Sequence, residues 1–231
     1  MTTQMTASQP RVGTGADARA LDLGRVGVVV LFTLTFASNA VTLARHIGSA
    51  DPLWQKASEV ASSVLALSFC ALVVRAYLRR GRASATDRGV LVWVAAPLAT
   101  IVPLAMAAVP PRTHGPLITV AQLALTLAGL TFSVWSVRTL ATNLSIVPQA
   151  RQAVTHGPYR LVRHPLYLGE LVSALGLVIG ASRPALAGAA WIACVAVQVV
   201  RTRYEEAGLR AEFPEYDEYA EHTRRLIPGV V

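Results

Sequence analysis

Long, nearly uninterrupted apolar runs constrain the fold of this chain more than any other feature of its sequence. Six runs are candidate membrane spans: 26–44, 60–78, 90–109, 117–137, 166–181 and 185–200. They approach or exceed the length that crosses a hydrocarbon core of about 30 Å, although the last two are short. Because nothing alternates with the two-residue period of a barrel strand, the sequence predicts an all-α, polytopic transmembrane protein of about six spans.

Basic residues are distributed unevenly over the loops between these runs. When loops are assigned to alternate sides, 17 Lys and Arg residues fall on one side and 4 on the other. Cytoplasmic loops carry such an excess, so the pattern indicates an even number of spans with both termini in the cytoplasm. This topology, with attraction to anionic membrane lipid, accounts for the net charge of +8 and argues against nucleic-acid binding. The chain is rich in Ala, Arg and Val, a composition typical of bacteria with a high genomic GC content. We therefore predict that it lies in a bacterial plasma membrane.

The chain divides into three segments. Residues 1–22 are predicted to be a disordered tail, and residues 23–138 a transmembrane scaffold of about four helices. Residues 139–231 combine a polar loop, a short helical hairpin and an amphipathic cytoplasmic tail. Within the hairpin, Gly176 and Gly180 form a GxxxG pattern, and small residues that include Gly188 predict close packing between its two helices. Cys70 and Cys194 are predicted to be packing residues, so no metal site is expected.

The stretch HGPYRLVRHPLYLGELV, residues 156–172, places arginines, histidines and prolines at the start of an apolar helix. Because a hairpin is antiparallel, positions 163–170 and 201–206 should meet at the cytoplasmic surface. Glu170 lies inside a span, where burying a carboxylate has a high free-energy cost. Its presence there suggests a polar cavity. We interpret the set as a pocket for a charged small molecule beside lipid. The alternative for each residue alone is membrane anchoring.

The strings GPYRLVRHPLYLGELV and, beyond the hairpin, RTRYEEAGLRAEFPEYDEYAEHTRRLIPG resemble known membrane enzymes. They contain GPY-x-x-x-RHP-x-Y-x-G, R-x-x-x-EE and RLIP, as do the integral-membrane isoprenylcysteine carboxyl methyltransferases (ICMT), their bacterial relatives and the phospholipid methyltransferases. The resemblance covers about residues 139–229. It implies a methyltransferase that binds S-adenosyl-L-methionine at the cytoplasmic end of the hairpin and methylates a small lipophilic or lipid-anchored acceptor.

The resemblance also assigns roles to individual residues. It implies that Arg201 and Glu205 are catalytic. It places the cofactor against Tyr159, His164, Pro165, Tyr167, Glu206 and Tyr219. These residue types suit a cationic sulfonium, which aromatic faces and carboxylates can hold. Arg201 would orient a carboxylate acceptor, whereas Glu205 would be the base for an amine or hydroxyl acceptor, and the sequence leaves this choice open.

Two other functional classes fit parts of the same pattern. A membrane reductase of sterol-reductase-like architecture would bind NADPH and would need basic residues for its 2′-phosphate, for which Arg151, Arg160 and Arg163 are available. A non-enzymatic transporter or membrane scaffold would need no cofactor. Binding of S-adenosylhomocysteine or of NADPH would distinguish the three.

Overall fold

A computed structural model of the protein describes residues 23–79, 85–86, 115–140, 149–150 and 154–226. Its elements in chain order are α1 (Leu23–Gly48), α2 (Leu53–Arg79), β1 (Ala85–Thr86), α3 (Pro116–Leu140), β2 (Gln149–Ala150), a 3₁₀-helix (Gly157–Arg160), α4 (Pro165–Ile179), α5 (Pro184–Glu212) and α6 (Tyr216–His222). The two short strands pair antiparallel, with Ala85 opposite Ala150. Helices dominate these ranges, which confirms the predicted fold class.

Four of the helices in these ranges are long and apolar enough to cross a membrane, namely α1, α2, α3 and α5. They coincide with the first, second, fourth and sixth predicted spans. The fifth predicted span is α4, an apolar helix of 15 residues, which is shorter than a typical span. The third predicted span, 90–109, and the N-terminal tail, 1–22, lie outside the described residues.

The helix α5 continues well beyond the apolar run from which it was predicted. That run ends at Val200, whereas the helix has 29 residues and ends at Glu212. Its added part is polar but rich in Arg, Glu and Ala, which are good helix formers. The second helix of the hairpin is therefore one continuous helix, and its polar C-terminal part extends beyond the start of α4.

The glycines of α4 pack against α3 rather than against the hairpin partner. A Cβ atom built on Gly176 would lie 2.5 Å from Thr126 Oγ1, and one built on Gly180 would overlap the side chain of Gln122. Around Gly188 of α5, no atom of the described part lies within 4 Å of such a Cβ. The predicted close packing of the hairpin helices through these small residues was therefore wrong. The same small residues instead allow α3 to approach α4 closely.

The contact between α3 and α4 gives a prediction about stability. A Cβ on Gly169 would lie 2.8 Å from the backbone oxygen of Gly129 and 2.8 Å from the backbone nitrogen of Ser133. Because backbone atoms cannot swing aside, we expect Gly169→Ala to lower the free energy of unfolding by about 1–3 kcal/mol. The matched control Gly188→Ala should leave stability unchanged or slightly higher. Thermal unfolding in detergent measures both, and equal effects would contradict the packing described here.

A buried apolar cluster lies where α1, α2, α3, the start of α4 and the C-terminal tail meet. Its members are Phe32, Cys70, Val73, Ala76, Tyr77, Val137, Leu166, Tyr167 and Leu226. Tyr167 is 6% exposed and Leu226 is 5% exposed. The first turn of α4 and the end of the tail are thus anchored in the same core, which keeps the polar side chains beside them in place.

Candidate active site

The entrance of α4 is held by the C-terminal tail. The helix begins at Pro165, a residue suited to the first helical turn, and His164 before it is non-helical. The backbone N–H groups of Arg163 and His164 donate to the carbonyl oxygens of Arg224 and Arg225 at 2.7 and 3.0 Å. No periodic pattern in the sequence predicts this pairing. It fixes the tail across the base of the hairpin.

The carboxylate of Glu205 is the meeting point of three predicted site residues. Tyr167 donates its hydroxyl to Oε1 at 2.6 Å, and Arg201 donates from Nε to the same atom at 3.2 Å. Nδ1 of His164 lies 3.8 Å from the other oxygen, Oε2. The side chain of Glu205 is 17% exposed. One carboxylate oxygen is therefore held by two donors, while the other is less engaged.

The ring of Tyr167 connects the histidine and the arginine of this group. The rings of His164 and Tyr167 are stacked, with centroids 5.5 Å apart and planes 5° from parallel. Arg201 Cζ lies 4.5 Å from the centroid of the Tyr167 ring, a cation–π contact. Arg201 is only 4% exposed. The guanidinium is thus buried, and both the Tyr167 ring and Glu205 restrict its position.

Glu206 has no exposed surface and is surrounded by cations. Arg225 donates to both of its carboxylate oxygens, from Nε at 3.0 Å and from the terminal nitrogen at 2.9 Å. Arg163 Nε and His164 Nε2 lie 2.9 and 3.2 Å from Oε1, and Arg210 contributes a 3.4 Å contact to Oε2. The hydrogen bond to Glu206 raises the pKa of Arg225. This carboxylate joins α5, the entrance of α4 and the tail.

A pair of tyrosines links the 3₁₀-helix to α6. The hydroxyl of Tyr219 donates to the backbone oxygen of Tyr159 at 2.6 Å. Tyr216 packs edge-on against Tyr219, with ring centroids 5.6 Å apart. Burial raises the pKa of Tyr219 to about 12 and also raises the pKa of Tyr159. Both phenols are therefore neutral at physiological pH, and that of Tyr219 acts as a hydrogen-bond donor.

A second polar contact joins α4 and α5 nearer the hairpin turn. Gln198 Nε2 donates to Glu170 Oε2 at 3.0 Å. Gln198 is 2% exposed, and its Oε1 has no hydrogen-bond partner among the described residues. A carboxylate inside a span is costly, and the hydrogen bond from Gln198 compensates part of that cost. Sequence reasoning singled out Glu170 but missed Gln198, whose signal was a lone polar residue within the run 185–200.

The structure brings most of the predicted site residues into one connected cluster at the open end of the hairpin. The connected residues are His164, Tyr167, Arg201, Glu205 and Glu206, with Pro165 next to His164 at the start of α4. Tyr159 and Tyr219 form a separate hydrogen-bonded pair. Arg203, which lies within the predicted range 201–206, is exposed. Within the described ranges, no group of three or more His, Cys, Asp or Glu side chains could hold a metal ion.

Comparison with known proteins finds similarity over this region. Residues 117–215, from the start of α3 to beyond α5, match the family model described as phospholipid methyltransferase. The chain is 38% identical over 78 residues to a probable protein-S-isoprenylcysteine O-methyltransferase of Oryza sativa subsp. indica, covering 33% of this chain and 41% of the rice protein. The identity is also 38% over 78 residues to protein-S-isoprenylcysteine O-methyltransferase A of Arabidopsis thaliana, covering 33% of this chain and 40% of that protein.

The name of one bacterial relative refers to metal resistance rather than to methyl transfer. The cobalt-zinc-cadmium resistance protein CzcN of Cupriavidus metallidurans is 40% identical over 114 residues, which are 47% of this chain and 51% of the relative. The chain thus spans about half the length, or less, of these curated relatives. The resemblance drawn from the motifs is confirmed: residues 117–215 are similar to the phospholipid methyltransferase family, and 78 residues of the chain are similar to the plant isoprenylcysteine O-methyltransferases.

Proposed function

We propose that the protein is an integral-membrane methyltransferase that uses S-adenosyl-L-methionine and methylates a small lipophilic or lipid-anchored acceptor. The observation that supports it best is the convergence of His164, Tyr167 and Arg201 on the partly exposed carboxylate of Glu205. The family match over residues 117–215 supports the same reaction class. The methyl donor, when bound, supplies an electrophilic methyl group on a cationic sulfur.

The chemistry of the cluster fits such a donor. A sulfonium cation is stabilised by carboxylate and aromatic groups, and Glu205 offers an oxygen, Oε2, that neither Tyr167 nor Arg201 occupies. We assign the donor site to this end of the hairpin, bordered by His164 and Pro165 at the start of α4. The remaining members of the proposed site are Tyr159, Tyr167, Glu206 and Tyr219.

The hydrogen bonds within the cluster suggest different roles for these residues. Tyr167 and Glu206 present little or no surface and are already hydrogen-bonded to Glu205, His164 and Arg225, so their proposed part is to position other groups. Tyr167 orients Glu205 through its hydroxyl, and Glu206 holds His164 at the entrance of α4. Preorganised donors and acceptors of this kind reduce the reorganisation that a reaction would otherwise require. Glu205, at 17% exposed, is the carboxylate of this cluster that a ligand can reach.

Arg201 and Glu205 are the proposed catalytic residues. A carboxylate acceptor is already a nucleophile, and Arg201 would orient it through charge-assisted hydrogen bonds. An amine or hydroxyl acceptor must lose a proton, and Glu205 would receive it at Oε2. In both cases the main demand is to hold the acceptor in line with the methyl group, which the buried and restrained Arg201 is suited to meet.

We place both termini and this site on the cytoplasmic side of a bacterial plasma membrane. The excess of basic residues in alternate loops supports this orientation. The arginines around Glu206 lie at the same end of the hairpin as the cluster. A water-soluble donor would then enter from the cytoplasm, and a lipophilic acceptor would enter from the bilayer.

Binding of a donor analogue tests this proposal. We expect S-adenosylhomocysteine at 100 times its dissociation constant to stabilise the detergent-purified protein by about 2.7 kcal/mol, and NADPH to have no effect. The midpoint of thermal unfolding measures both. Stabilisation by NADPH alone would support a reductase instead, and stabilisation by neither would support a transporter or scaffold.

A matched pair of histidine variants locates the binding site. His164 is buried at the entrance of α4, whereas His222 on α6 is exposed. His164→Ala should reduce the stabilisation by S-adenosylhomocysteine, measured relative to the ligand-free midpoint of the same variant. His222→Ala should retain it. An unchanged affinity in His164→Ala would remove His164 from the donor site.

A further inference from the structure

Glu170 and Gln198 form a polar contact that the proposed donor site does not use. Glu170 lies one turn beyond Tyr167 on α4, and Gln198 lies one turn before Arg201 on α5. Their side chains are hydrogen-bonded at 3.0 Å. They therefore extend the polar cluster from Glu205 toward the turn of the hairpin, along the interface between its two helices.

The two side chains together offer more hydrogen-bond acceptors than donors. Gln198 donates one N–H of its Nε2 to Glu170, and its Oε1 is buried without a partner in the described ranges. A glutamate carboxylate accepts hydrogen bonds through two oxygens and, when ionised, donates none. Because buried acceptors without donors are costly, this geometry favours an occupant that brings N–H or O–H groups.

The charges around Glu170 support the same conclusion. Arg201 is the cation whose charge acts on Glu170, and Glu205 is an anion that also acts on it. Arg201 is at the same time bound to Glu205 and packed on Tyr167. The carboxylates of Glu170 and Glu205 therefore both act on the buried guanidinium of Arg201. An occupant with a carboxylate would add a further anion to this group.

We propose that Glu170 and Gln198 form a specificity-determining subsite that accepts hydrogen bonds from an N–H or O–H group of the methyl acceptor. This inference rests on the proposed function and extends it, because it selects an amine or an alcohol over a carboxylate among the possible acceptors. The pair binds and orients the head group. Proton removal stays with Glu205, about two turns beyond Gln198 along α5.

Three amphiphiles with the same alkyl chain test this subsite, namely dodecylamine, dodecanol and dodecanoate. Each is titrated into the detergent-purified full chain in the presence of S-adenosylhomocysteine, and the midpoint of thermal unfolding reports binding. We expect the amine and the alcohol to bind at least about tenfold more tightly than the carboxylate. Comparison of the amine with the alcohol shows whether the subsite prefers a cation or a neutral donor.

Variants connect the effect to this pair. Glu170→Gln keeps the size of the side chain but removes its charge, and it should weaken dodecylamine binding about tenfold. Gln198→Leu removes the free amide oxygen and should weaken both dodecylamine and dodecanol. Glu218→Gln, the same change at an exposed glutamate of α6, serves as the control and should bind as the unmodified protein does.

Three outcomes would overturn the subsite: tighter or equal binding of dodecanoate, no binding of either the amine or the alcohol, or unchanged binding in both variants. The response to S-adenosylhomocysteine alone is measured in the same experiment. If it persists, the methyltransferase proposal stands although the subsite fails. If it is absent while Glu170→Gln still weakens the amine, the subsite stands and the donor assignment fails.

Discussion

Glu205→Gln should reduce methyl transfer by at least about 100-fold while the protein remains folded. Glutamine keeps an oxygen that can accept the hydroxyl of Tyr167 and the Nε of Arg201, so the local geometry is retained. It cannot take a proton, and it lacks the charge that stabilises a cationic donor. Transfer of radiolabelled methyl groups from S-adenosyl-L-methionine into a total lipid extract, with the protein in nanodiscs, measures the effect.

Two further variants show how Glu205 acts. Tyr167→Phe removes the 2.6 Å hydrogen bond to Glu205 and should give a smaller loss than Glu205→Gln, because the carboxylate itself remains. Glu218→Gln is exposed and should retain full transfer. If Glu205→Gln retained full transfer, Glu205 would have no role in catalysis. If it unfolded the protein, the contribution of Glu205 would be structural.

The described helices and the location of the candidate site could be predicted because both depend on patterns within single segments. An apolar run long enough to cross the bilayer forms a helix, since only internal hydrogen bonding satisfies its backbone in lipid. An antiparallel hairpin brings the start of one helix to the end of the other. The predicted meeting of positions 163–170 with 201–206 is observed in the 3.2 Å contact between His164 and Glu206.

The packing partners could not be predicted in the same way. A GxxxG pattern identifies a surface that permits close approach, but it does not say which helix will approach it. That surface lies on α3 and is formed by Gln122, Thr126, Gly129 and Ser133, which recur at three- and four-residue steps. Their residue types do not distinguish α3 from an ordinary membrane span. The tail pairs with residues 163 and 164 through contacts between residues that are far apart in sequence, and no local pattern predicts such contacts.

Glu206→Ala should destabilise the folded protein by about 3 kcal/mol and release the C-terminal tail. The substitution leaves Arg163, Arg225 and His164 without the carboxylate that compensates them at the base of the hairpin. Glu206→Gln keeps a hydrogen-bonding oxygen and should cost less. Thermal unfolding measures the stability, and Glu218→Ala on the exposed face of α6 is the control.

Hydrogen exchange separates a positioning role for Glu206 from a direct part in donor binding. The amides of Arg163 and His164 donate to carbonyl oxygens of the tail, so they should exchange faster in Glu206→Ala even when no ligand is present. A residue that only contacts the donor would leave these amides protected and lower the affinity for S-adenosylhomocysteine alone. Because Glu206 has no exposed surface and contacts both α4 and the tail, we expect the first result.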